Sequence, residues 1–103
     1  MKEIKKVGKQ IADEFKPERI VLFGSHAEGK SGKDSDVDLL IILPFKGKSF
    51  YKSAEIRAAI RTSFPIDLIV RSPLDIQKRI KMGDPFFRDI LEKGKLIYEA
   101  PNA

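Results

Sequence analysis

Two aspartates, Asp36 and Asp38, open the apolar run Leu39-Leu40-Ile41-Ile42-Leu43. Residues two apart in a strand point to the same face, so these carboxylates would project together, about 6 to 7 Å apart at Cα and close enough to share metal ions. Such a pair suits Mg²⁺, which prefers hard oxygen ligands and completes its shell with water and substrate phosphates. Ten residues separate Asp36 from Gly24-Ser25, which directly follows Arg19-Ile20-Val21-Leu22-Phe23. A small residue and a hydroxyl at the end of a strand leave backbone N–H groups free to meet phosphate oxygens. A third carboxylate, Asp67, is the only charge in Pro65-Ile66-Asp67-Leu68-Ile69-Val70. Burying an isolated carboxylate costs several kcal/mol, so Asp67 should be paired, metal-bound or at an exposed strand edge.

Among fifteen acidic residues, these three compose a reaction. Asp36 and Asp38 would clamp Mg²⁺, as two ions, between the protein and a nucleoside triphosphate, lowering the charge at the α-phosphorus and stabilising the leaving pyrophosphate. Asp67, on the neighbouring strand, would help ligate the catalytic metal and accept or steer away the proton of an attacking hydroxyl. Gly24 lets the backbone approach the triphosphate, and Ser25 can donate a hydrogen bond to its β or γ oxygens. The sum is transfer of a nucleoside monophosphate to an acceptor hydroxyl. Asp34 and Asp36 form a second Asp-x-Asp, but only Asp36 and Asp38 keep ten residues after Ser25 and lead straight into the apolar run, which leaves Asp34 as a turn residue. His26, the sole histidine, reads as a loop residue, because metal-assisted transfer to a hydroxyl does not need a histidine base. Plainer roles stay open for the same residues: a solvated strand cap for Asp36 and Asp38, an edge residue in a salt bridge for Asp67, and a cap of a helical turn for Ser25.

The elements that must position these groups follow from periodicity and punctuation. Ile4, Val7, Ile11, Ala12 and Phe15 recur at helical spacing and predict an amphipathic helix ended by Pro17. A strand over Arg19 to Phe23 leads into a loop from Gly24 to Asp34 with one helical turn near Ala27. The next strand, from Val37 to Leu43, divides Asp36, Asp38, Leu40 and Ile42 from Val37, Leu39, Ile41 and Leu43, and its apolar part is expected to be buried on both faces. A helix over Tyr51 to Thr62, with Ile56, Ala59 and Ile60 inward, precedes the short strand that carries Asp67. Ser72-Pro73-Leu74-Asp75 and Asp84-Pro85 each read as a helix cap followed by proline, and Gly94 closes the second of these helices before a strand from Lys95 to Glu99. Phe86 and Phe87 read as core plus a possible partner contact. The expected class is α/β (α+β): a small mixed sheet of about four strands flanked by helices.

Length and composition bound the remainder. A chain of 103 residues is expected to form one domain over 1–103, too short for a separate substrate-recognition domain, so an acceptor must be held by a partner or by a second copy in a homo-oligomer. Without cysteine there is no disulfide, thiolate metal site or cysteine nucleophile. No apolar segment reads as a signal or membrane span, which predicts a soluble cytoplasmic protein. A formal charge of +5 favours acidic partners such as nucleotides or an acidic protein surface, while the scatter of the lysines argues against a dedicated nucleic-acid surface.

Gly24, Ser25, Asp36, Asp38 and Asp67, with the order of elements around them, resemble the minimal nucleotidyltransferases (MNT proteins) of the DNA polymerase β superfamily, and the resemblance covers nearly the whole chain. It implies a nucleotidyltransferase fold and ATP as substrate. Stand-alone members are often antitoxins encoded beside a HEPN-domain toxin, a helical ribonuclease, and active members transfer AMP to a tyrosine hydroxyl of that toxin. Two other functions stay open: a non-catalytic antitoxin that neutralises by binding, and a small-molecule transferase of the aminoglycoside-modifying type. One position departs from the family's usual Gly-Ser-Arg-Ala-Arg-Gly, since this chain has Gly24-Ser25-His26-Ala27-Glu28-Gly29. Lys30 and Lys33 are candidates to compensate Glu28.

Overall fold

Apolar alternation in β2 (Val37–Ile42) fixes the architecture. Its two sets of side chains enter two separate cores, and Leu39, Leu40 and Ile41 are completely buried. The computed structural model describes residues 2–29 and 36–101. Around β2 lie β1 (Arg19–Phe23), β3 (Ile66–Arg71) and β4 (Lys95–Glu99) in the order β3-β2-β1-β4. β1 runs antiparallel to both β2 and β4, while β2 and β3 are parallel, so the sheet is mixed.

Val37, Leu39, Ile41 and Leu43 pack with Ile4, Val7 and Ile11 of α1 (Lys2–Phe15) and with Ile56 of α2 (Ser49–Ala59). Leu40 and Ile42 face the other way, toward Ile76 of α3 (Pro73–Lys81) and Phe87 and Ile90 of α4 (Pro85–Lys93). The even-numbered face of β2 carries Asp38 as well, so the carboxylate and the α3–α4 pair share one side of the sheet.

Both predicted caps form. Ser72 Oγ accepts from Asp75 N–H at 3.1 Å, and Asp84 Oδ1 accepts from Phe86 N–H at 2.9 Å, each with proline at the first helical position. The second helix differs in extent from its expectation: it starts at Ser49 and ends at Ala59, with Ile60 in extended conformation. Ile56 is buried as expected but Ala59 is exposed, since a helix ending there turns its last residue outward while extended Ile60 is buried instead.

Gly94 ends α4 for a reason other than a left-handed cap. Its φ is −71°, open to any residue. A Cβ there would stand 2.6 Å from Val21 Cγ1, 2.5 Å from the Ile90 carbonyl oxygen and 2.9 Å from that of Leu22. The helix end is seated directly on β1, and glycine is the one residue that fits. Gly94→Ala should therefore destabilise the fold by about 1–3 kcal/mol, as overpacking against backbone does, measured by urea unfolding.

Candidate active site

Parallel pairing of β2 with β3 decides where the three carboxylates stand. Asp38 is the direct register partner of Asp67. Backbone bonds at both ends hold that register: Val37 N–H donates to Pro65 O at 3.0 Å and Leu43 N–H to Arg71 O at 3.1 Å. β3 is an edge strand, and Asp67 is exposed, so its charge is placed in the middle of an apolar strand without the cost of burial. Asp38 is half-buried and Asp36 is exposed just before β2 begins.

On the opposite flank, Phe23 pairs with Asp38 across β1 and β2, and the chain then turns at Gly24. Gly24 has φ +74°, and the position of a Cβ on it is occupied by Asp38 Oδ2. Both facts require glycine here, one through backbone handedness and the other through the carboxylate lying against its Cα. The expected helical turn follows, with Ala27 N–H and Glu28 N–H donating to Gly24 O at 3.1 and 3.3 Å and Ala27 buried. Ser25 belongs to this first turn, where a backbone N–H has no carbonyl to bond within the turn. Lys30, Lys33 and Asp34 lie outside the described residues.

Crowding of like charge is the electrostatic signature. Asp38 is held above the ordinary carboxylate value, first by burial, then by the charges of Asp67 and Asp36, with a side-chain hydrogen bond to Asp67 adding; His26 acts in the opposite direction. His26 lies in the turn after Gly24, a loop residue as read. Among the described residues no three acidic or histidine side chains converge on one point as a closed ligand set. What is present is a hydrogen-bonded Asp38–Asp67 pair with Asp36 beside it. The donors are all hard carboxylate oxygens, the ligand type that Mg²⁺ prefers, so the residues fit that ion by chemistry.

A cleft of about 680 Å³ opens on the same side of the sheet, between the Gly24 turn and α4. Phe23, Gly24 and Glu28 line one wall, and Phe86, Asp89 and Lys93 line the other. Phe86 meets Phe23 edge to face at 6.1 Å and remains 50% exposed, whereas Phe87 is buried. The sequence flagged the phenylalanine pair without separating them; the Asp84 cap does so, by fixing where α4 starts. Lys93 donates to Asp89 at 3.0 Å and is held above its usual value by that bond and charge, with Glu28 contributing further. Glu28, the departure from the family pattern, thus shares its cleft with a lysine that sequence reasoning passed over.

A carboxylate raised in the folded state binds its proton more tightly there than in the unfolded chain. Its contribution is favourable at low pH and is lost as pH rises through the folded value. Asp38→Asn removes that loss, so in metal-free buffer the variant should melt above the native chain near pH 7, and the gap should close toward about pH 4, as thermal melts across that range would show.

The comparisons with known proteins agree with this geometry. A family model described as "Polymerase beta, Nucleotidyltransferase" matches residues 3–103. Two proteins of Methanocaldococcus jannaschii are similar in sequence. "Putative protein adenylyltransferase MJ0141" is 37% identical over 81 residues, covering 79% of this chain and 80% of the relative. "Putative protein adenylyltransferase MJ0604" is 30% identical over 82 residues, covering 78% and 77%. Among solved structures, a "putative nucleotidyltransferase from Sulfolobus solfataricus" superposes with a TM-score of 0.66 at 23% identity, over 95% of this chain and 78% of its own. A toxin-antitoxin crystal structure with AMP-PNP gives 0.57 at 19% identity, over 99% and 77%. A mutant of the toxin-antitoxin MntA-HpeT gives 0.53 at 16% identity, over 94% and 73%. These three share the fold. With a family model spanning almost the whole chain, and a relative above one-third identity across most of both sequences, this chain belongs to the polymerase β nucleotidyltransferase family.

Proposed function

We propose that this chain transfers AMP from ATP to a hydroxyl of a protein partner, with Mg²⁺ held by Asp36, Asp38 and Asp67, and that it thereby acts as a cytoplasmic antitoxin. The acceptor would be a tyrosine of a HEPN-type toxin encoded beside it. The observation that carries this reading is the Asp38–Asp67 register with Gly24 lying under the Asp38 carboxylate. Names of the two archaeal relatives support a protein acceptor. Fold neighbours described as toxin-antitoxin structures, one with AMP-PNP, support the toxin and the adenine nucleotide.

Each part of the reaction has a group to serve it. Gly24 lets the triphosphate approach the backbone, and Ser25 donates to its outer oxygens. When bound, Mg²⁺ would lower the charge on the triphosphate and favour departure of pyrophosphate. Asp67, exposed at the sheet edge, takes the proton of the acceptor hydroxyl as its oxygen bonds to the α-phosphorus and the bond to the bridging oxygen breaks. Half-exposed Phe86 offers an aromatic face at the cleft mouth for the adenine.

Glu28 in the cleft wall favours one competing reading, a binding antitoxin whose carboxylates no longer turn over. Intact-mass spectrometry of the neighbouring gene's product, after incubation with this chain, ATP and Mg²⁺, separates the two. Adenylyl-sized increments are expected, and Asp36→Asn or Asp38→Asn should cut their rate on the order of 10²-fold or more. A stable complex with no increment would transfer the function to occlusion.

A further inference from the structure

The outer face of α3 carries the most exposed apolar side chains on the carboxylate side of the sheet. Leu74 is 77% and Met82 75% exposed. Spaced i, i+4 and i+8, Leu74, Lys78 and Met82 form one helical stripe. Together with Gln77 and Lys81 they line a shallow hollow of about 430 Å³. Shared lining residues connect that hollow to the cleft at the Gly24 turn. A neighbouring depression shares Lys78 and Met82 with it and runs on through Gly83 to Pro85. Pro85 also lines the cleft that reaches Gly24. A polypeptide lying along this track would have a side chain of its own beside the motif turn.

Charge along the track selects the occupant. Asp75 is engaged by Arg71 at 3.5 Å and Arg79 at 3.0 Å, and Asp84 is engaged by Arg79 at 3.5 Å as well as capping α4. Lys78 and Lys81 take part in no ion pair among the described residues. The stripe therefore presents two uncompensated cations around an apolar centre. A second copy of this chain would set lysine against lysine. A nucleic-acid backbone would leave Leu74 and Met82 without apolar partners. An acidic protein surface with an apolar centre satisfies both features. The exposed aromatic pair Phe50 and Tyr51 belongs to α2 on the opposite side of the sheet and cannot lead a hydroxyl to the carboxylates.

We propose that the α3 stripe from Leu74 to Met82 docks an acidic, apolar-centred surface of the acceptor protein, so that the acceptor's hydroxyl enters the cleft beside Gly24. This rests on the transfer function proposed above, and its test keeps the two apart. The product of the neighbouring gene is titrated against the native chain, Lys78→Glu/Lys81→Glu and Leu74→Ser/Met82→Ser, by calorimetry and by adenylyl transfer. Each double variant should bind about tenfold or more weakly and raise the KM for the acceptor, with kcat at saturation and affinity for Mg-ATP unchanged. Added salt should weaken the native complex and have less effect on the charge-reversed one. Unchanged acceptor affinity in both variants overturns the proposal, as does a native chain that binds no partner or one that pairs with itself through this stripe. Binding without transfer removes the catalytic reading alone, and the same variants then still decide the docking surface.

Discussion

Everything in this molecule depends on holding two carboxylates side by side that would rather separate. Asp38 and Asp67 are neighbours because β2 and β3 pair in parallel and in one register, and that register is enforced by apolar packing. Leu39, Leu40 and Ile41 are fully buried between two helical layers. Burying such a side chain contributes roughly 1.5–3 kcal/mol, well above the repulsion between one partly solvated and one exposed carboxylate. A slip of one residue would turn every β2 side chain to the wrong layer, so the aspartates have no alternative pairing.

The two sides of the sheet divide the work. α1 and α2 cover one face and close the larger core. On the other face α3 and α4 cover only the far end of β2 and β3, over Leu40, Ile42 and Ile69, and leave the aspartate end open. Arg71 and Arg79 stand over the Phe87 ring at 5.8 and 5.2 Å, and their shared partner Asp75 ties β3, α3 and α4 into one unit. That unit sets the far wall of the cleft beside Gly24. The position of Phe86 against Phe23 is therefore a consequence of packing remote from the carboxylates.

Much of this was legible in the residues. The period of two in β2 assigned both cores correctly, and the Ser72 and Asp84 caps were readable because proline and a capping oxygen act locally. An exposed edge was one of three positions read for Asp67, beside pairing and metal ligation, because a lone charge in an apolar strand has few other places to be. Its register with Asp38 was not, since pairing between strands leaves no local mark. For the same reason the cleft-lining Lys93 and the placement of the α3 stripe on the cleft's side of the sheet required three-dimensional structure. Gly94 closes α4 as read, but its close contact with β1, which is what requires glycine there, depends on distance rather than on residue type.

The central proposal is that the Asp38–Asp67 register, with Gly24 under the Asp38 carboxylate, forms a site for a divalent cation and a nucleotide. Calorimetric titration of the chain with ATP, in the presence and absence of Mg²⁺, measures that binding directly. Saturable binding that requires Mg²⁺ and is lost in Asp38→Asn is the expected result. Binding that does not need Mg²⁺, or that persists unchanged in the variant, would contradict the account.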